Sequence, residues 1–253
     1  VHHVREHLAV AMGLSMGQIR VVAGDVGGGF GVKEHLYPDE LLACEASRRL
    51  KRPVKWIEDR VESFTASLHA RGQHHQASLA LDADGQFLAL WTDFIHDLGA
   101  HPSNVGPGPS VVASGMLPGP YKFGKAGARA RCVVTNRTPT GAYRGFGMQQ
   151  AAWVRERLVD EAAREFGFDP VELRLRNMIS PEEMPYTTPF GHNYDSGDYP
   201  AALAKLLEMT SEFRAPDADG RLRGIGYGSF VEFTGLGPSV LQQQVGFHLN
   251  GFE

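Results

Sequence analysis

The stretch that decides the interpretation of this sequence is DVGGGFGVKE, residues 25–34. It places four glycines around one phenylalanine, between a β-rich run at residues 19–23 and a helix predicted to begin at Pro38. Glycines in such a turn allow backbone N–H groups to approach a ligand closely and to form an anion-binding concavity. Lys33 is followed by Glu34 rather than Ser or Thr, which argues against a Walker A loop. Considered alone, the stretch predicts either a ligand-contacting loop or a structural turn.

A second glycine-containing loop, AYRGFG at residues 142–147, precedes another predicted helix. An arginine between small residues at a helix N-terminus suits an anion, because its planar guanidinium presents a fork of donors. The alternative is a surface arginine in a tight turn. Phe146 lies between two glycines and would be exposed unless it stacks on something, while a core phenylalanine is the default alternative.

The rest of the chain predicts both helices and strands, and therefore an α+β fold. Apolar periodicity predicts helices, alternation and β-branched runs predict strands, and Pro/Gly-rich segments predict loops. Residues 53–58 are predicted to form a buried strand, and the stretch after Gly99 an irregular loop. The other predicted elements are helices at 4–14, 38–50, 148–166, 169–177 and 198–209, a hairpin of 76–81 with 86–96, and strands at 129–135, 223–234 and 241–249.

Composition excludes several classes of protein. The 253 residues are 42% hydrophobic with a net charge of −4, so nothing favours binding to nucleic acid or to an anionic membrane. Two cysteines, Cys44 and Cys132, cannot build a disulfide framework and are predicted to be buried thiols, and the sequence contains no HExxH zinc motif. The longest uncharged stretch, residues 98–121, contains five prolines and cannot span a bilayer as a helix. Without a signal-peptide pattern, we expect a cytoplasmic protein.

Together the two loops resemble those of the molybdenum hydroxylases, in the molybdopterin-binding large subunit of xanthine dehydrogenase, aldehyde oxidase and carbon monoxide dehydrogenase type enzymes. The resemblance continues, in order, through VKWIEDR at 54–60, DLGA at 97–100, PVELRLRN at 170–177, TPFG at 188–191 and RGIG at 223–226. It implies an incomplete molybdopterin-binding fold of the α+β class, with mixed sheets and packed helices. Residues 1–213 would form the first cofactor-binding domain, and residues 214–253 the truncated start of the second.

The resemblance also assigns roles to residues of both loops. Arg144 matches an arginine that contacts cofactor and active site, and Glu34 matches a substrate-binding carboxylate, so both are predicted catalytic residues. Phe146 matches a phenylalanine that stacks on aromatic substrates, and Arg71 is a weaker match to a substrate-binding arginine. The backbone beside the metal matches residues Gly28, Gly29, Phe30 and Gly31.

An aromatic heterocycle or an aldehyde is the implied substrate, hydroxylated with oxygen from water. Carbon monoxide enzymes of the family carry a copper-holding cysteine in the second loop, and residues 140–150 contain none. The implied cofactor is molybdenum-molybdopterin, with the cytosine dinucleotide form left open.

The resemblance further implies partners for this chain. Iron–sulfur clusters and FAD are expected on partner chains, since two cysteines cannot hold a cluster. The remainder of the large subunit, which would carry the general base, and an oligomeric assembly are also expected. The fragment alone is expected to be inactive. The alternative is a non-catalytic binding or assembly module that retains the fold.

Overall fold

A computed structural model describes residues 1–211 and 224–232 and shows an α+β architecture, as predicted. Three single-turn 3₁₀ helices lie at Met16–Gln18, Val32–Glu34 and Pro181–Glu183. The helices are α1 (His2–Met12), α2 (Pro38–Leu50), α3 (Arg60–Ala66), α4 (Gly108–Gly115), α5 (Met148–Phe166), α6 (Pro170–Asn177) and α7 (Tyr199–Met209). The strands are β1 (Gln73–Leu81), β2 (Phe87–Asp97), β3 (Lys125–Val133), β4 (Tyr186–Thr187) and β5 (Asn193–Tyr194).

The main sheet has the order β1-β2-β3 and is mixed, as the family resemblance implied. Strands β1 and β2 form an antiparallel hairpin in which His75 pairs with Phe94. Asp82 shapes its turn by accepting the N–H groups of Asp84 and Gln86 at 3.0 and 2.8 Å. Strand β3 then runs parallel to β2. Parallel neighbours need a crossover connection, and the segment containing α4 provides it.

The hydrophobic core lies between this sheet and the helices α5, α6 and α7. Helix α5 presents an apolar stripe that includes Val154 and Val159, and Leu90 faces it from β2. Asp169 caps α6 by accepting the N–H groups of Val171 and Glu172, which explains why this helix begins at an Asp-Pro pair.

A buried ionic cluster lies beside the core. Glu156 receives the Nε–H groups of Arg155 and Arg174, each at 3.0 Å, and both arginine side chains are at most 2% exposed. The same arginines donate to the backbone carbonyls of Ser229 at 2.6 Å and Tyr227 at 3.1 Å. The cluster therefore attaches residues 224–232 to α5 and α6, while the predicted domain boundary at 213 lies outside the described residues.

Two predicted strands are wrong. Residues 19–23 and 53–58 have no regular secondary structure, and Trp56 and Ile57 of the second run are 54% and 72% exposed. A strand needs a partner for its ladder hydrogen bonds, and neither run has one within the part of the chain that the structure describes.

Other predictions need correction in detail. The segment after Gly99 contains helix α4, because Pro107 and Pro109 lie at its start, where a missing N–H costs nothing. Residues 224–232 of the predicted strand 223–234 are not in a strand, and 241–249 lies outside the described residues. Cys132 is exposed on β3 and Cys44 is half-buried, so neither thiol is buried as predicted. β3 lies at the edge of its sheet, which leaves Cys132 accessible.

Candidate functional site

The two glycine-containing loops meet. The N–H group of Arg144 donates to the carbonyl oxygen of Phe30 at 2.9 Å. Gly31 lies against Ala142, and a Cβ at Gly31 would approach the Ala142 Cβ to 3.1 Å. The φ of Gly31 is also +84°, a conformation that favours glycine. Glycine at position 31 is therefore needed both for the backbone conformation and for the contact between the loops.

The first loop presents unused backbone donors. No hydrogen bond of the described residues has the N–H groups of residues 28–31 as donor. Phe30 has a φ of +53° and is 55% exposed, and its ring folds back so that a Cβ at Gly28 would lie 2.5 Å from it. Neighbouring amides left free by such a turn form a concavity suited to oxygen atoms or anions. The loop thus has the free donors that a ligand-contacting loop requires, and its contact with a ligand stays a prediction.

The second loop is an unusual turn that leads directly into α5. Gly145, Phe146 and Gly147 have consecutive φ values of +92°, +46° and +109°. A Cβ at Gly147 would collide with the carbonyl oxygen of Pro109, so the loop packs tightly on α4. Left-handed backbone at Phe146 costs about 1–2 kcal/mol. The turn leaves the Arg144 side chain exposed and Phe146 half-buried, which is not the environment of a core phenylalanine.

Arg71 contacts the second loop at Arg144 and Tyr143. Its Nη2 donates to the carbonyl oxygen of Arg144 at 2.9 Å, and its Cζ lies 5.0 Å from the centroid of the Tyr143 ring. Gln149 donates to the same carbonyl oxygen. These contacts give Arg71 a structural use, and its suggested role as a substrate-binding arginine stays a prediction.

Glu34 lies at the end of the first loop and pairs with α1. Its carboxylate is 3.3 Å from Nδ1 of His3. The structure therefore connects this predicted substrate-binding residue to the first helix.

Sequence reasoning missed His35, which lies between the loops. Its ring is buried, with Nδ1 against Oδ1 of Asn104 and Nε2 3.3 Å from the amide nitrogen of Ala142. Burial, together with His7 and His3, lowers the pKa of His35 to about 4. The only signal in the sequence was its position directly after Glu34, because its partners lie 69 and 107 residues away.

Comparison with known proteins agrees with this arrangement. A family model for the molybdopterin cofactor-binding domain matches residues 1–178, which include both loops. The chain belongs to the molybdenum hydroxylase large-subunit family. The resemblance seen in the sequence is thereby confirmed.

Relatives of this molybdenum hydroxylase chain act on different molecules, as their names indicate. It is 36% identical over 94% of its length to subunit gamma of the 6-hydroxypseudooxynicotine dehydrogenase complex of Paenarthrobacter nicotinovorans. It is 38% identical over 95% of its length to the carbon monoxide dehydrogenase large chain of Hydrogenophaga pseudoflava. Both alignments cover 31% of the relative, so the chain spans about a third of the length of these proteins.

The fold is shared with solved molybdenum hydroxylases. Quinoline 2-oxidoreductase from Pseudomonas putida 86 superposes with a TM-score of 0.79 at 41% identity, over 83% of this chain and 27% of that one. Within residues 1–211 and 224–232, no group of three or more His, Cys, Asp or Glu side chains could hold a metal ion. No helix in those residues is long and apolar enough to cross a membrane.

Proposed function

We propose that this chain forms one wall of the active site of a molybdenum hydroxylase, and that the whole enzyme hydroxylates an aromatic heterocycle or an aldehyde. The observation that carries the proposal is the hydrogen bond from the Arg144 N–H to the Phe30 carbonyl oxygen. This bond supports the proposal because it joins the backbone of exposed Arg144 to the loop that carries the unused amides. Neither loop alone would provide both kinds of donor.

The residues of both loops fit a pterin that carries phosphate and a metal. The free N–H groups of residues 28–31 can donate to oxygen atoms, and the Arg144 guanidinium can pair with an anion. When bound, the molybdenum cofactor supplies the two-electron oxidation of a C–H bond, with oxygen taken from water. The identity of the pterin is left to measurement, with the cytosine dinucleotide form as the alternative to the simple form.

The protein's own contribution is positioning and fixed charge. The tight turns at Gly31 and Gly147 hold the first-loop amides and the backbone of Arg144 in place before any ligand arrives, so these amides need little reorganisation when they are used. We assign Glu34, held near His3, to contact with the substrate, and we assign the half-buried ring of Phe146 to stacking on it.

A heterocycle is favoured over carbon monoxide by the second loop. The relatives include nicotine 6-hydroxylase from P. nicotinovorans at 33% identity and the carbon monoxide enzyme at 38%, so overall identity does not separate these substrates. One solved relative is described as a Cu,Mo-dependent carbon monoxide dehydrogenase. Residues 140–150 of this chain contain no thiol that could hold copper beside Arg144.

We further propose that other chain segments and subunits complete the enzyme. The exposed apolar side chains of residues 1–71, such as Trp56, Ile57 and Phe64, support contact with the remainder of the large subunit. Iron–sulfur and FAD subunits would carry the electrons away, in an oligomeric complex located in the cytoplasm, and the chain alone would be inactive.

The test is a preparation of the full-length large subunit together with its partner subunits. Molybdenum is measured by elemental analysis and pterin by the fluorescence of its oxidised form. Turnover is compared on quinoline, an aromatic aldehyde and carbon monoxide, with H₂¹⁸O as solvent. We expect about one molybdenum per chain and ¹⁸O in the product of quinoline or of the aldehyde. A preparation without molybdenum or pterin would favour the non-catalytic module, and turnover of carbon monoxide alone would reject the substrate class.

A further inference from the structure

His35 joins three separate parts of the chain. It is 3% exposed and follows Glu34 directly, so it belongs to the end of the first loop. On one side its Nδ1 contacts Oδ1 of Asn104, and on the other its Nε2 lies 3.3 Å from the Ala142 nitrogen. The fit against the second loop is close, because a Cβ at Gly141 would lie 3.0 Å from Nε2.

The partners determine which tautomer of His35 is present. The Ala142 N–H can only donate, so Nε2 must accept and carries no proton. In a neutral ring the proton is then on Nδ1, where it faces the amide oxygen of Asn104, which can only accept. A protonated ring would place an Nε2–H group against the Ala142 N–H and break this contact.

The surroundings of His35 favour the neutral ring. His3 and His7 of α1 act on it electrostatically, and the Tyr37 ring lies 6.3 Å away in an edge-on contact. His101 shares with it the groove beside α1, and Glu34 precedes it in the chain. Burial is the larger cause that lowers the pKa of His35 to about 4, so the ring is neutral at neutral pH.

We propose that His35 is a positioning residue that sets the spacing between the two loops, and hence between Phe30 and Arg144. Within the described residues, two hydrogen bonds join the loops: a backbone bond from Arg144 to Phe30 and a bond from the Ala142 N–H to the His35 side chain. The loops also touch through Gly31 against Ala142 and through the rings of Phe30 and Tyr143. Ala142 is buried and lies two residues before Arg144. Without His35, the Ala142 N–H would be buried without a partner, and the second loop could move away from the first. The catalytic consequence rests on the proposed function, whereas the structural consequence does not.

Three substitutions of His35 separate its two contacts. The side-chain oxygen in His35→Gln reaches the position of Nε2 and can accept from Ala142. The shorter amide in His35→Asn can donate to Asn104 but does not reach Ala142, and His35→Leu makes neither contact. His75→Gln is the matched control, because burial also lowers the pKa of His75 to about 4, but its ring bonds to Thr92 and Gln73 in the sheet.

The experiment uses the full-length large subunit in its complex, with and without molybdenum. Amide hydrogen exchange is followed in peptides that cover residues 138–147, and kcat and KM are measured on the loaded enzyme. Losing the hydrogen bond to Ala142 should raise exchange in this segment about tenfold in the Asn and Leu variants. The Gln variant and His75→Gln should stay close to the parent. We expect kcat to fall in the Asn and Leu variants while KM changes little.

The outcomes distinguish this proposal from the proposed function. Faster exchange in the Asn variant than in the Gln variant supports positioning, even if the parent binds no molybdenum, in which case only the proposed function fails. Equal exchange in the parent, Gln and Asn proteins would overturn the positioning role. If the Leu variant does not fold, the Asn and Gln pair decides. A fall in kcat that the Gln variant does not restore would also overturn it.

Discussion

Residues 1–71 and residues 72–211 differ in how many of their side chains they bury. In the first region Leu8 and Ala9 are the only buried hydrophobic residues, and helices α2 and α3 bury no side chain completely. In the second region Phe94, Leu117 and Val159 are at most 1% exposed. The first region supplies Phe30, yet the contacts that position it come from the second region. The candidate site therefore depends on the boundary between the two regions as much as on either of them.

The second region should be sensitive to loss of its buried charges. Glu156→Gln would remove the carboxylate that pairs with Arg155 and leave Arg174 with Asp160 alone, and breaking a buried pair costs about 3–5 kcal/mol. We expect the free energy of unfolding of the full-length subunit to fall by that amount in urea denaturation. The control is Glu45→Gln in the first region, where Glu45 pairs with Arg48 on an exposed helix face. If both variants had the same urea midpoint as the parent, the contrast between the regions would be wrong.

Arg144→Ala tests the donor that the second region contributes to the site. Removing a preorganised donor of this kind lowers turnover by about 10²–10³-fold. The fold should be retained because the side chain is exposed, so the urea midpoint should stay within error. Arg129→Ala on β3 is a control, since that arginine pairs with Asp93 away from the loops. Near-normal turnover in Arg144→Ala would remove the arginine from the proposed site.

Gly31→Ala tests the contact between the two loops at the boundary of the two regions. The added methyl group would press on Ala142 at 3.1–3.2 Å in a backbone with a φ of +84°. The backbone strain alone costs about 1–2 kcal/mol, which is enough to raise the population of molecules with separated loops about tenfold. Gly13→Ala is the matched control, because Gly13 has a φ of +64° but nothing within 4 Å of its Cβ position. Hydrogen exchange of residues 138–147 should rise in Gly31→Ala alone, and an equal rise in both variants would show that packing between the loops is unimportant.

The same contrast explains how much of the structure could be predicted. Helix α5 and the hairpin of β1 and β2 were predictable, because their periodicity and turn residues lie within one short segment. Residues 53–58 have the composition of a strand, but pairing depends on a partner that local sequence does not reveal. The parallel pairing of β2 with β3 could not be predicted for the same reason.

The candidate site shows the same limit. Both loops stood out because glycine and arginine in short patterns are a local signal, and the structure brings them together. His35, which joins the two loops, and Arg71, which contacts the second loop, act through partners 107 and 73 positions away. No spacing in the sequence indicates such contacts. The catalytic and binding roles assigned to the loop residues remain predictions until the variants are measured.

Phe146→Ala should affect substrate choice more than stability. Stacking between rings contributes about 0.5–1.5 kcal/mol beyond area burial, so kcat/KM for quinoline should fall about 2- to 12-fold relative to that for a small aldehyde. The ring is half-buried, and its backbone is left-handed at a φ of +46°. Phe166→Ala is the control, because that phenylalanine is 58% exposed at the far end of α5. An equal loss for both substrates would contradict stacking and leave Phe146 as a packing residue.

Mild acid should favour separation of the two loops, and this is the smallest effect that we predict. The pKa of His35 is about 4 in the closed arrangement and 6.5 ordinarily, so protons bind more strongly once the loops separate. The stabilisation is therefore complete above pH 6.5 and is lost progressively as the pH falls towards 4. Between pH 7.5 and 6 this linkage predicts about a fourfold rise in loop opening. The measurement is hydrogen exchange of residues 138–147 in the parent and in His35→Gln at each pH. The ratio of the two rates removes the intrinsic pH dependence of exchange. The same rise in the glutamine variant, which cannot titrate at this position, would mean that another group controls the boundary.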